Sequence, residues 1–150
     1  MPLEKGSAMP SLDGATEWFN ATGARAEAEA RGVATLVYFW SRGSATCQND
    51  LASVAALRER HEAAGLHFVA VHVPQSEDDQ DTELVREAIT LNHLTEPCAV
   101  DNEGKLRTAF EVEAANVPAF FLFDAGGKLR SRATGEAEEM ASEVENLLES

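Results

Sequence analysis

Two thiols, Cys47 and Cys98, and a hydroxyl three residues before the first of them, Ser44, are the side chains of this chain best suited to covalent chemistry. A thiol at the start of a helix is held partly as thiolate by the helix dipole, which makes it a nucleophile towards disulfides and peroxides. Cys47 stands at such a start. The apolar pattern lapses over Ser41, Arg42, Gly43 and Ser44, and then Cys47, Leu51, Val54 and Leu57 recur near helical spacing until Gly65. Cys98 is flanked by Ala99 and Val100, the usual setting of a core residue. It could resolve an oxidised Cys47 only if the two α-carbons came within about 7 Å.

Other chemistries are poorly supplied. Two cysteines are too few for a disulfide framework, and their wide separation lacks the spacing of a structural zinc site. His61, His67, His72 and His93 are scattered and read as packed or surface residues rather than ligands. The acidic run from Glu77 to Glu83 reads as a solvated helix start capped by Asp81 or Thr82. No metal and no cofactor is expected. Twenty-six acidic against twelve basic residues give a net charge of -14, which repels phosphate backbones and anionic lipid, so neither nucleic acid nor membrane is an expected partner. The longest apolar stretch, Leu36 to Trp40, is far short of the roughly 18 residues of a membrane span. Met1 to Pro10 lacks the apolar run of a secretory signal, so the expected address is the cytoplasm.

The elements that must position Cys47 follow from periodicity. With 150 residues and 44% apolar composition, one domain over 1–150 is expected, residues 1–14 forming a lead-in. An Ala- and Glu-rich helix runs to Arg31 and is ended by Gly32. Val33 to Trp40 lacks alternation, as in a strand buried on both faces. The helix opened by Cys47 follows. Leu66 to Val73 is a second strand broken by Pro74, and Leu84, Val85, Ala88 and Ile89 mark a helix face. A short apolar piece, Cys98 to Val100, precedes a helical turn at Leu106 to Phe110. Val117 and Pro118 then introduce a strand, Ala119 to Phe123. Turn residues 124–127 lead to an antiparallel strand, Lys128 to Thr134, and an acidic helix from Glu136 to Leu148 closes the chain with Met140, Val144 and Leu147 inward. The order βαβα then ββα, with right-handed crossovers, gives an α/β fold of three layers, a mixed central sheet with helices on both faces.

Phe39-Trp40 followed by Cys47 at a helix start, together with Val117-Pro118 before a strand, resembles the thioredoxin superfamily. Val69 to Pro74 with the run Ser76 to Asp79, and Phe121 to Asp124 through Gly127 to Arg130, are most similar to its TlpA/ResA-like branch of thiol-disulfide oxidoreductases, among small soluble bacterial members. The resemblance spans the chain from about Met9. It implies a cis bond at Val117-Pro118, and it implies docking of extended peptide, from a partner bearing thiols or disulfides, around Trp40, Arg42, Gly43, Ser44, Ala115, Asn116, Val117 and Pro118.

The family's catalytic unit is Cys-x-x-Cys, and the aligned unit here reads Ser44-Ala45-Thr46-Cys47. A serine hydroxyl is far too weakly acidic for thiol-disulfide exchange, so turnover between these two positions is excluded. Tyr38 replaces the buried aspartate of thioredoxins, removing the usual proton acceptor. Trapping variants of such enzymes keep the first cysteine and replace the second, so the reverse pattern reads as a natural difference. Three functions fit. Cys47 acts as a single thiol through mixed disulfides that another thiol resolves. Alternatively it is the peroxidatic thiol of a peroxiredoxin-like enzyme, since Ser or Thr, two residues and Cys open the same helix there, although Trp40 stands where peroxiredoxins carry proline. Or the domain is redox-inactive, binds a partner, and keeps Cys47 as a small buried residue.

Overall fold

Thr35–Trp40, rich in β-branched and aromatic side chains, forms a strand whose six residues are all buried. Burial on both faces demands a neighbour along each edge and a layer over each side. This strand, β2, pairs in parallel with β3 (His67–His72) and antiparallel with β5 (Ala119–Phe123). The computed structural model describes residues 4–42, 45–112, 117–134 and 138–149, with the backbone only at 45–50, 62, 138–139, 141 and 149. The full sheet has six strands in the order β1 (Glu17–Phe19), β4 (Cys98–Val100), β3, β2, β5 and β6 (Leu129–Thr134). β3 and β4 are parallel, whereas β1 against β4 and β5 against β6 are antiparallel.

Alternation along β2 sorts the core into two layers. Leu36, Tyr38 and Trp40 face α2 (Ala45–His61), α3 (Thr82–Leu91) and α5 (Glu138–Glu149), meeting Leu51, Val54, Val85, Ile89 and Val144. Val37 and Phe39 face the other side, where Ala26 of α1 (Gly23–Ala30) and Leu106 of α4 (Lys105–Ala109) close the layer. Phe110 fills the centre of that second layer, edge-on to Phe39 at 5.2 Å and to Phe121 at 5.4 Å. This is the three-layer α/β architecture that the resemblance implies.

The helix ends carry caps. Thr22 accepts the amide of Arg25 at the start of α1, and Asp81, of the two candidates, caps α3 by accepting the amide of Glu83. Asp101 accepts the amides of Leu106 and Arg107 at 2.9 and 2.8 Å and so caps α4, whose preceding Gly104 takes a φ of 73°. Gly32 ends the α1 segment with a φ of 77°.

The structure adds two strands to the expected order. Glu17–Phe19, just beyond the 1–14 lead-in and not expected as a strand, pairs with Cys98–Val100, itself a strand. The residues before β1 cross to the opposite edge: Gly6 and Met9 donate their amides to Leu129 and Gly127, and Leu129 returns its own to Ser7. Among the described residues no helix is long and apolar enough to cross a membrane, and no group of His, Cys, Asp and Glu gathers as a metal site.

Candidate functional site

The site is built where β2 ends and α2 begins. β2 stops at Trp40 and α2 starts at Ala45, which sets the backbone of Cys47 in the first turn of a 17-residue helix. Amides in that turn have no intrahelical acceptor, and the helix dipole is positive there, so a thiolate is favoured at this position. Ala119 of β5 lies opposite Phe39 of β2, and the chain arrives at Ala119 through Val117 and Pro118. That register carries the Val117–Pro118 bond, which is cis, to the Trp40–Ser41 end of β2. Val117 is half-buried and Pro118 buried. Gly43, Ser44, Ala115 and Asn116, and the side chain of Cys47, lie outside the described residues.

Trp40 corrects one expectation. It is not part of an open docking surface but 0% exposed, because strand alternation turns it to the same side as Leu36 and Tyr38. Its ring packs edge-on against His72 at 4.9 Å, beneath the segment that leads to Cys47. Arg42 is likewise held down, with its guanidinium 2.9 Å from Asp79.

Asp79 corrects a second. The acidic run that holds it was read as solvated, yet Asp79 is 1% exposed and accepts hydrogen bonds from Ser41 Oγ at 3.2 Å, Arg42 Nη1 at 2.9 Å and the Gln75 amide at 2.8 Å. Burial by itself raises a carboxyl pKa, but these hydrogen bonds, from the Gln75 amide, Arg42 and Ser41, outweigh it and hold Asp79 below its ordinary value. His72, fully buried one strand over, accepts the Arg42 amide through Nε2 at 3.1 Å. Desolvation lowers its pKa to about 4, so the imidazole is a neutral acceptor at pH 7. Neither residue carries a local signal of this role, since the pairs span 37 and 30 positions of chain.

Cys98 is core. It lies in β4, opposite Ala70, which is itself opposite Tyr38, so two strand spacings of about 4.8 Å part it from β2. Its thiol contacts the Glu96 carbonyl at 3.3 Å, and burial, reinforced by the Glu96 carboxylate, pushes its pKa well up. A protonated thiol sealed from solvent does not resolve an oxidised partner. In place of the buried aspartate of thioredoxins, Tyr38 donates through its hydroxyl to Glu96 Oε2 at 2.9 Å, and Arg58 of α2 donates to the same oxygen at 2.8 Å. Glu96 thus supplies a buried carboxylate from the loop before β4, which the sequence reading missed.

Comparison with known proteins agrees with this geometry. The family model described as the AhpC/TSA family matches residues 6–132. The chain is 35% identical over 127 residues to thiol-disulfide oxidoreductase YkuV of Bacillus subtilis (strain 168), over 85% of this chain and 83% of the relative. It is 25% identical over 105 residues to sporulation thiol-disulfide oxidoreductase A of the same organism, over 70% of this chain and 61% of the relative. The solution structure of a thioredoxin-like protein in the oxidised form superimposes with a TM-score of 0.85 at 32% identity, over 96% of both chains. The crystal structure of StoA from Bacillus subtilis does so with a TM-score of 0.62 at 24% identity, over 75% of this chain and 82% of the other.

Proposed function

The chain belongs to the AhpC/TSA family, on its thioredoxin-like thiol-disulfide oxidoreductase branch, and on that premise we propose that its chemistry runs through the single thiol of Cys47. The observation that carries this reading is the placement of Cys47 in the first turn of α2, directly after the buried central strand and beside the Val117–Pro118 bond. The Cys47 thiolate attacks one sulfur of a substrate disulfide. A bond forms between Cys47 and that sulfur, the substrate's S–S bond breaks, and the other sulfur leaves as thiolate. A second, external thiolate then attacks the mixed disulfide and releases Cys47 as thiolate, itself becoming bonded to the substrate sulfur. Cys98 takes no part, and the serine at position 44 leaves the resolving role to that external thiol. The substrates are disulfides of proteins or small molecules, a protein substrate lying as an extended segment against Val117. A cytoplasmic setting, read from the sequence, supplies the external thiol.

The AhpC/TSA match also favours a second reading. Ser44 and Cys47 fit the Ser/Thr-x-x-Cys start of a peroxidatic helix, in which the Cys47 thiolate attacks one peroxide oxygen, the O–O bond breaks, the other oxygen leaves as alcohol or water after taking a proton, and Cys47 becomes a sulfenic acid. One experiment tests both. The alkylation rate of Cys47 is followed against pH in native Cys98→Ala protein. A midpoint below the free thiol's roughly 8.5 is expected. Cys47 that reacts only on unfolding would overturn both readings and leave a binding domain. Faster consumption of peroxide than of a small disulfide would select the peroxidase. Cys47→Ala should abolish either turnover.

A further inference from the structure

Hydrogen bonds converge on the two residues that follow the central strand. Ser41 and Arg42 are the last described positions before α2, and both send their side chains to one buried carboxylate, that of Asp79. The Arg42 amide is held separately by His72, and the Trp40 carbonyl accepts the Val73 amide at 2.8 Å. The chain that delivers Cys47 is therefore fastened at three consecutive residues to the end of β3 and the loop beyond it. Asp79 is itself fixed from that loop by the Gln75 amide, three residues before the short helical turn Asp78–Gln80.

A buried ion pair contributes little net stability, because desolvating both partners offsets their attraction. What such a pair does well is fix one arrangement out of several, and here it fixes the entry to the helix that carries the thiol. We infer that Asp79 is a positioning residue for Cys47, acting through Ser41 and Arg42 to set where the first turn of α2 stands. This rests on Cys47 being the reactive thiol, as proposed above. Tying the entry of α2 to the β3–α3 loop also makes that loop a part of the site, although its sequence lies more than 30 residues beyond Cys47.

The sign of one substitution separates positioning from a simple through-space charge. Removing a negative charge near a thiol favours the thiolate, so Asp79→Asn acting by charge alone lowers the Cys47 midpoint and speeds reaction at pH 7. Loss of positioning does the reverse. The test measures the pH–rate profile of Cys47 with a neutral disulfide reagent in Asp79→Asn, Arg42→Gln and the double variant, all in native Cys98→Ala protein. The expected result is a rate at pH 7 at least fivefold lower and an upward midpoint in each single variant, with the double variant no slower than the slower single one, because both remove the same constraint. Val144→Ala, which weakens packing of α5 far from this loop, controls for lost stability and should leave the profile in place. A profile in Asp79→Asn that is unmoved or shifted downward overturns the inference, as do effects that add in the double variant. If Asp79→Asn does not fold, Ser41→Ala, which removes a hydrogen bond to Asp79 and no charge, carries the same test. An inert Cys47 in the parent protein instead overturns the proposed function, and the positioning role falls with it.

Discussion

Protonation of one imidazole should be legible in the stability of the whole protein. His72 is neutral in the fold with a pKa lowered to about 4 by desolvation, whereas an exposed histidine in the unfolded chain titrates near 6.5. Between these values the unfolded chain binds more protons, so stability is lost as pH falls through that window. The loss should reach about 2 kcal/mol by pH 5. Urea unfolding of the parent and of His72→Gln, whose amide oxygen can still accept the Arg42 amide, should show the parent falling more steeply between pH 7 and 5. Parallel curves would contradict the assignment. At this scale the helix start that holds Cys47 was legible in the sequence, because the apolar pattern lapses before it and resumes at helical spacing. The sequence showed Asp79 and Trp40 poorly. An aspartate in an acidic run and a tryptophan at a strand end are told apart from surface residues only by partners tens of residues away.

Helix α2 is fixed at its far end by Arg58, whose guanidinium and the Glu96 carboxylate are both buried. Arg58→Ala leaves Glu96 with Tyr38 but without a counter-charge, and should cost about 3 kcal/mol in urea unfolding. Restoring apolar volume with Arg58→Met while neutralising Glu96→Gln should recover part of it. A loss under about 0.5 kcal/mol, the size of an exposed pair, would mean the pair is solvated. The cap of α4 makes a separate case: Asp101→Ala strands the amides of Leu106 and Arg107 and should cost about 1–2 kcal/mol. Long elements were readable, β2 from its unbroken apolar run and α2 and α3 from helical spacing. β1 and β4 have three residues each, too few for any period to show, and they are strands because β4 adds to β3 and β1 to β4.

Over the whole molecule the charge of -14 sets a field that any charged substrate must cross. A small dicationic disulfide should therefore react with Cys47 faster than a dianionic one of similar size, and the gap should narrow as salt is raised, since screening at 0.1 M already acts within about 10 Å. Equal rates at low salt would show that the local Arg42 charge cancels the global field.

The segment from Gly6 to Phe19 reaches both margins of the sheet, joining Gly127 and Leu129 at one and Cys98–Val100 at the other. In a growing polypeptide Glu17–Phe19 has no strand partner until Cys98–Val100 has been made, and the stretch from Gly6 to Met9 has none until Gly127 and Leu129 have been made. The fold therefore cannot mature stepwise from its beginning. Both margins close only when parts of the chain about 80 to 120 residues apart meet, the kind of topology that folds slowly.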